Sequence, residues 1–158
     1  VAMSLFNGVS QGAQPIMATN YGARQLERVA NVRRLGAITA FVIGLVIFLL
    51  GALYPDITVA LFVNPTSEIL TLARDAIRLY FVAFLMMSLN IFYSTYFQSV
   101  LRPKISLIIC LLRGIVICVI LVFILPIWLG VTGIWLVMPI TELITVIIAM
   151  LLVKTKKI

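Results

Sequence analysis

Apolar runs of about twenty residues follow one another along this chain, parted by short polar connections. Five are visible: Val1 to Asn20, Leu35 to Tyr54, a stretch within Ile77 to Leu101, Ile105 to Leu125, and Val131 to Val153. As helices rising ~1.5 Å per residue, each is long enough to cross a ~30 Å hydrocarbon core. The pattern predicts an all-α, polytopic transmembrane helical bundle of about five helices, forming a single domain over residues 1–158. Arg33-Arg34 and Pro55-Asp56 bound the second run. Pro126 closes the fourth, and Lys154, Lys156 and Lys157 stop the fifth.

Two connections carry structure of their own. Ala23 to Arg34 is amphipathic, with Leu26, Val29 and Ala30 on one face and arginines on the other, and is expected to lie along the headgroups of the membrane lipid, its arginines read as ordinary topology in preference to a specific lipid site. In the second connection Ile57 to Val63 is expected at the outer interface. Asn64-Pro65 then reads as an N-cap followed by proline in the first helical position, with Glu68 in the first turn. That helix either runs into the third apolar segment or bends near Asp75.

The polar positions inside the apolar runs are the informative ones. Ser4, Asn7, Gln11 and Gln14 are spaced three, four and three apart and make one stripe on the first helix. Unpartnered amides are costly in hydrocarbon, so the stripe should face protein or a wet cavity. Gly8 and Gly12 form a small-xxx-small pair beside it, suited to close approach by another helix. Pro15 is expected to break or kink the helix, with a turn at Asn20-Tyr21-Gly22. The stripe either lines a substrate path or hydrogen-bonds across a packed interface. Asn90, Ser94 and Gln98 make a second stripe on the third helix, flanked by Tyr93, Tyr96 and Phe97 with Met86 and Met87 above. Aromatic and methionine side chains beside amides suit a flat, greasy, cationic ligand. The alternative places Tyr93 and Tyr96 in an interfacial belt, the favoured reading for Tyr96, and the methionines in the core.

Arg113 and Glu142 are ionisable and lie within apolar runs, about 12 Å and about 18 Å from the basic ends of their segments. On adjacent antiparallel helices the long arginine side chain spans that difference, giving a buried pair. Otherwise Glu142 takes a proton or cation during transport.

Composition narrows the class. The chain is 63% hydrophobic and 11% charged, with a mean hydropathy of +1.21. It lacks histidine, the commonest metal ligand and general base. Cys110 and Cys118 stand eight apart on one predicted helix, about 12 Å along its axis, too far for a disulfide, and read as small apolar fillers. The net charge of +7 is not a nucleic-acid signature. Arg24, Arg28, Arg33, Arg34, Arg102, Lys104, Lys154, Lys156 and Lys157 all fall on one side of the alternating topology, which makes that side, and the C-terminus, cytoplasmic. The sequence opens on Val1 inside an apolar run, without signal-peptide features, and reads as truncated at its start. No phosphate loop, Ser/His/Asp set or metal-ligand cluster is visible, so the expectation is a non-enzyme without cofactor or metal.

Several runs resemble the second half of multidrug and toxic compound extrusion (MATE) transporters. They are GVSQGAQPIMATNYGA followed by an arginine-rich connection, FYSTYFQSVLRPKIS at Phe92 to Ser106, LLRG at Leu111 to Gly114, the proline after the fourth helix, and GVTGIWLVMPI at Gly130 to Ile140. The resemblance implies helices eight to twelve of a twelve-helix, two-lobe carrier, and so half of a two-lobe fold whose N-terminal lobe is the missing partner. It implies export of cationic amphipathic compounds across the plasma membrane in antiport with Na+ or H+. Some members place a cation-binding carboxylate on helices seven and ten, but Ile77 to Leu101 holds no acid, so the coupling site is expected outside this chain. On this reading Asn7, Gln11, Gln14, Asn90, Tyr93 and Ser94 are the candidate substrate-binding residues and Arg113 and Glu142 a candidate charge pair. The alternatives are a lipid-linked oligosaccharide flippase of the same broad superfamily and a non-transporting membrane scaffold.

Overall fold

The computed structural model describes residues 1–60 and 67–155. Its helices are α1 (Ala2–Gly22), α2 (Leu26–Leu53), α3 (Pro55–Ala60), α4 (Ser67–Ser99), α5 (Pro103–Leu111) and α6 (Ile117–Thr155), with a π-helical segment, Leu112–Val116, joining α5 to α6. There is no strand among the described residues. The expected N-cap at Asn64-Pro65, the side chain of Glu68, residues Leu61 to Val63, and Lys156 and Lys157 lie outside what is described.

By length and composition Leu26–Leu53, Ala73–Ser99 and Pro103–Thr155 suffice to cross a membrane. The last is a hairpin. Gly130 has φ 58° and ψ −138°, a backbone conformation that glycine alone adopts readily. The chain reverses there, and a Cβ on Gly133 would collide with the carbonyl of Leu125, 2.6 Å from its carbon and 3.0 Å from Pro126 N. Pro126 therefore lies inside α6 and does not close the fourth segment. The two limbs, 117–129 and 131–155, supply the fourth and fifth apolar segments.

Further expectations change. Pro15 lies within α1 and does not end it, and Asn20 to Gly22 stay helical. The Asn20 amide donates to Ile16 O at 2.7 Å, and the reversal falls on Ala23 to Gln25 with Arg24 at φ 57°. The arginine-rich connection is not a separate surface segment, because α2 begins at Leu26 and its first turns carry Arg28, Arg33 and Arg34. The helix of the second connection takes the first of its two expected courses, since α4 continues unbroken through Asp75 into the third segment.

α4 is the central element. It packs on α1 and α2 on one side and on α5 and α6 on the other. Met87, Phe92 and Phe97 are buried around its circumference, and Val100 is buried just past its end. α2 meets it along a glycine seam. A Cβ at Gly36 would strike the Phe92 ring, one at Gly51 the Phe81 ring, and one at Gly44 would sit 2.7 Å from Ser88 Oγ and 2.8 Å from Phe84 O. Small residues at these positions let the two backbones approach. Phe123, Ile127 and Trp128 are 70%, 81% and 83% exposed, the surface expected of a chain bathed in lipid.

Arg74 ties α3 to α4, donating from Nε to Asp56 Oδ1 at 2.6 Å and from Nη2 to Oδ2 at 2.8 Å. This guanidinium holds the Asp56 carboxyl below its usual 3.8. A depressed carboxylate stabilises the fold above its unfolded value and loses that contribution as pH falls through the folded one. Exposure keeps the effect small. The expected result is no change in amide exchange of residues 55–60 between pH 7 and 5, then faster exchange, corrected for intrinsic rate, below about pH 4. Asp56→Asn should show the faster exchange at pH 7.

Candidate functional site

Two buried polar side chains of α4, Asn90 and Ser94, and the exposed Gln98 lie along one side of the helix. Asn90, Ser94 and Gln98 advance about 40° per four-residue step and face the α5–α6 hairpin. Asn90 Nδ2 donates to Glu142 Oε2 at 2.6 Å and to Glu142 O at 2.9 Å. Ser94 Oγ lies 2.7 Å from Ser106 Oγ and 3.2 Å from Cys110 Sγ. Gln98 Nε2 donates to Ser106 Oγ at 2.9 Å. The stripe is a hydrogen-bonded seam between helices, as buried amides and hydroxyls in a membrane require.

The seam also floors a cleft of about 190 Å³. α1 contributes Asn7, α4 contributes Asn90, Ser94, Thr95 and Gln98, and the hairpin contributes Cys110 and Arg113. Cys110 is thus exposed on a polar wall and is not the apolar filler expected from its residue type. Both cysteines are free.

Arg113 and Glu142 are brought together. Arg113 Nε stands 3.7 Å from Glu142 Oε1, with the arginine side chain 24% exposed and the glutamate 1%. The hairpin turn at Gly130 makes the limbs antiparallel, and the arginine side chain spans the difference in depth. The acid is held by the arginine on one oxygen and by Asn90 on the other. Asn90 Oδ1, Arg113 Nη1 and Thr141 Oγ1 are buried without a hydrogen-bond partner in the described structure. No cluster of three or more His, Cys, Asp or Glu side chains able to hold a metal occurs among the described residues.

The candidates divide. Asn7, Asn90, Ser94 and Arg113 share the cleft, and Glu142 stands behind Asn90. Gln11 and Gln14 are not part of its wall. Gln11 is exposed, as are Ser4 and Asn7, and Gln14 is half-buried. α1 buries a different face, Phe6, Ser10 and Met17, and the flanks of Gly8 and Gly12 are open within this chain. Tyr93 parts from the amides: at i+3 from Asn90 it falls back about 60° around α4 and lines a second groove with Tyr96. Tyr96 is 5% exposed and packed in the core, not in an interfacial belt. The Arg33 guanidinium lies 5.5 Å from its ring centre. Ser106 and Thr141 were not among the expected site residues. Their signals were the i, i+4 pairs Ser106–Cys110 and Thr141–Thr145, each placing small polar groups on one helix face.

The MatE family model matches residues 1–125. A comparison with curated proteins found no match. Among solved structures the chain is similar to an outward-facing multidrug resistance MATE family transporter of the MOP superfamily, with 20% identity, a TM-score of 0.88 and 98% of this chain covered. It is similar to a MOP superfamily transporter from Pyrococcus furiosus, at 21% identity, a TM-score of 0.89 and 98% coverage. Both likenesses concern the fold. It is also similar to the MATE multidrug transporter DinF-BH, solved in complex with a small molecule, at 29% identity, a TM-score of 0.89 and 99% coverage. The chain spans 35% of the length of each of these three.

Proposed function

The chain belongs to the MatE family of integral membrane transporters, and from that premise we propose that it is one lobe of a secondary exporter of cationic amphipathic compounds. The observation that carries this reading is the α1 stripe. Ser4, Asn7 and Gln11 stay exposed in a chain whose other long helices present apolar side chains outward. Amides are left uncovered in a membrane protein where a second lobe or a wet cavity meets them. A multidrug transporter of the same fold holds a small molecule, and here the cleft beside Asn7 offers neutral amides and hydroxyls.

The charge balance agrees. Arg113 faces the cleft, but Glu142 lies against it, so a cationic substrate meets a compensated wall. A flippase holding pyrophosphate needs uncompensated cations at this point, and the pairing weighs against it. The coupling ion is Na+ or H+, bound by a carboxylate outside residues 1–158, since α4 carries none at depth and Glu142 is already engaged by Arg113 and Asn90. The protein sits in the plasma membrane with its C-terminus cytoplasmic, the side to which the basic residues point.

Ethidium efflux from cells expressing the natural gene tests the proposal. Efflux that stops when the sodium gradient is removed assigns sodium coupling. Efflux that survives but dies with a protonophore assigns proton coupling. Gln11→Ala should lower flux roughly tenfold, the scale of one lost hydrogen bond, with unchanged thermal stability. Asn90→Ala should lower both flux and stability, because Asn90 also holds Glu142. No efflux under either gradient would favour the flippase or the scaffold, and the scaffold further predicts that Gln11→Ala alters assembly instead of flux.

A further inference from the structure

A second cavity, on the other flank of α4, is larger and chemically different. It encloses about 700 Å³ between α2, α4 and the end of α6. Arg33, Arg34 and Lys154 line it, and no acidic residue does. Its lower wall is apolar, built from Val29, Ala37, Met150 and Val153. Ile38 opens from it onto an exposed apolar strip of α2 with Val42, 51% and 49% exposed. One end is therefore cationic and the other continues into a surface that faces hydrocarbon.

We infer that this groove binds an anionic phospholipid, the phosphate against Arg33, Arg34 and Lys154 and an acyl chain along Ile38 and Val42. Three observations combine. Cations belonging to two helices far apart in sequence converge on one concavity, which topology alone does not require. The apolar strip leaves the cavity at the level where acyl chains begin, because Arg33 and Arg34 lie about two turns inside α2 and Lys154 in the last turn of α6. Finally, Arg33 is already ordered over the buried Tyr96 ring at 5.5 Å, so little side-chain freedom remains to be lost on binding. A basic pocket between transmembrane helices at a membrane interface is the geometry that selects anionic headgroups. The groove and the cleft lie on different flanks of α4, so lipid binding here does not depend on what the protein exports.

Native mass spectrometry of the detergent-purified protein, expressed from its natural gene, reads the first bound lipid directly. Phosphatidylglycerol should bind more tightly than phosphatidylcholine. Arg33→Gln/Arg34→Gln/Lys154→Gln should weaken phosphatidylglycerol by roughly one to two orders of magnitude and leave phosphatidylcholine unchanged. Arg24→Gln/Arg28→Gln, at the same end of α2 but outside the groove, should change it less than about threefold. If the triple variant fails to fold, Ile38→Trp keeps every charge, blocks the acyl exit at an exposed position, and should still lose the first phosphatidylglycerol. Equal losses in the groove and control variants would overturn the site in favour of diffuse surface charge. So would phosphatidylglycerol binding untouched by Ile38→Trp. Displacement of the lipid by millimolar inorganic phosphate would overturn the lipid assignment, showing that the cations take free phosphate.

Discussion

Arg113→Leu is expected to lower stability by roughly 3–5 kcal/mol, the cost of leaving a buried charge without its partner. Glu142 is 1% exposed and its surroundings supply one amide, Asn90, against one guanidinium. Glu142→Leu should cost less. The arginine left behind is 24% exposed and borders a polar cleft, so its charge has solvent within reach. The double variant Arg113→Leu/Glu142→Leu should recover most of the loss, because two leucines of similar volume need no desolvation of charge. Thermal unfolding of the purified protein in detergent, compared across the three variants, gives the order. If the double variant is no more stable than Arg113→Leu, the two charges are not coupled and the 3.7 Å approach carries no energy.

That pair was readable from the sequence because membrane helices remove most of the freedom. Helix rise per residue is fixed, the bilayer fixes where each helix begins, and depth follows by counting. The same rule made all five apolar segments legible. Counting does not say what lies across from a face. Gly8 and Gly12 carry the familiar close-packing spacing, yet both are open within this chain. Gly36, Gly44 and Gly51, at intervals of eight and seven, form the seam that meets α4. Each pattern keeps glycines near one face, and only the tertiary arrangement decides which face is covered. Tyr93 shows a second limit. Three residues from Asn90 it looks like a neighbour on the stripe, but steps of four and three rotate in opposite senses around the helix. Long rings amplify that divergence until the two residues line different cavities. The reversal at Gly130 was displaced for a related reason. Pro126 signals a broken hydrogen-bond ladder, and a helix survives that loss when its neighbours supply the packing. A backbone at φ 58° is not something a helix survives.

Gly133→Ala is expected to be the second severe substitution, costing roughly 3 kcal/mol, the upper end for an overpacked site. Most glycine contacts in this fold are with side chains that can turn away. A Cβ here meets the Leu125 carbonyl and stands 2.6 Å from its carbon and 3.0 Å from Pro126 N, and a backbone cannot rotate out of the way. The limbs of the hairpin must then part. Glu142 lies nine residues further along the same limb, so a shift at Gly133 is carried to the acid and away from both Arg113 and Asn90. Two measurements follow. Gly133→Ala should melt well below the parent protein, while Gly22→Ala, where nothing lies within 4 Å, should stay within about 0.5 kcal/mol. In the Gly133→Ala background Arg113→Leu should cost less than it does alone, because the pair it breaks has already been pulled apart. Full additivity of the two substitutions would show that the hairpin crossing and the buried charge pair are independent, and that the close approach at Gly133 does not set the depth at which the charges meet.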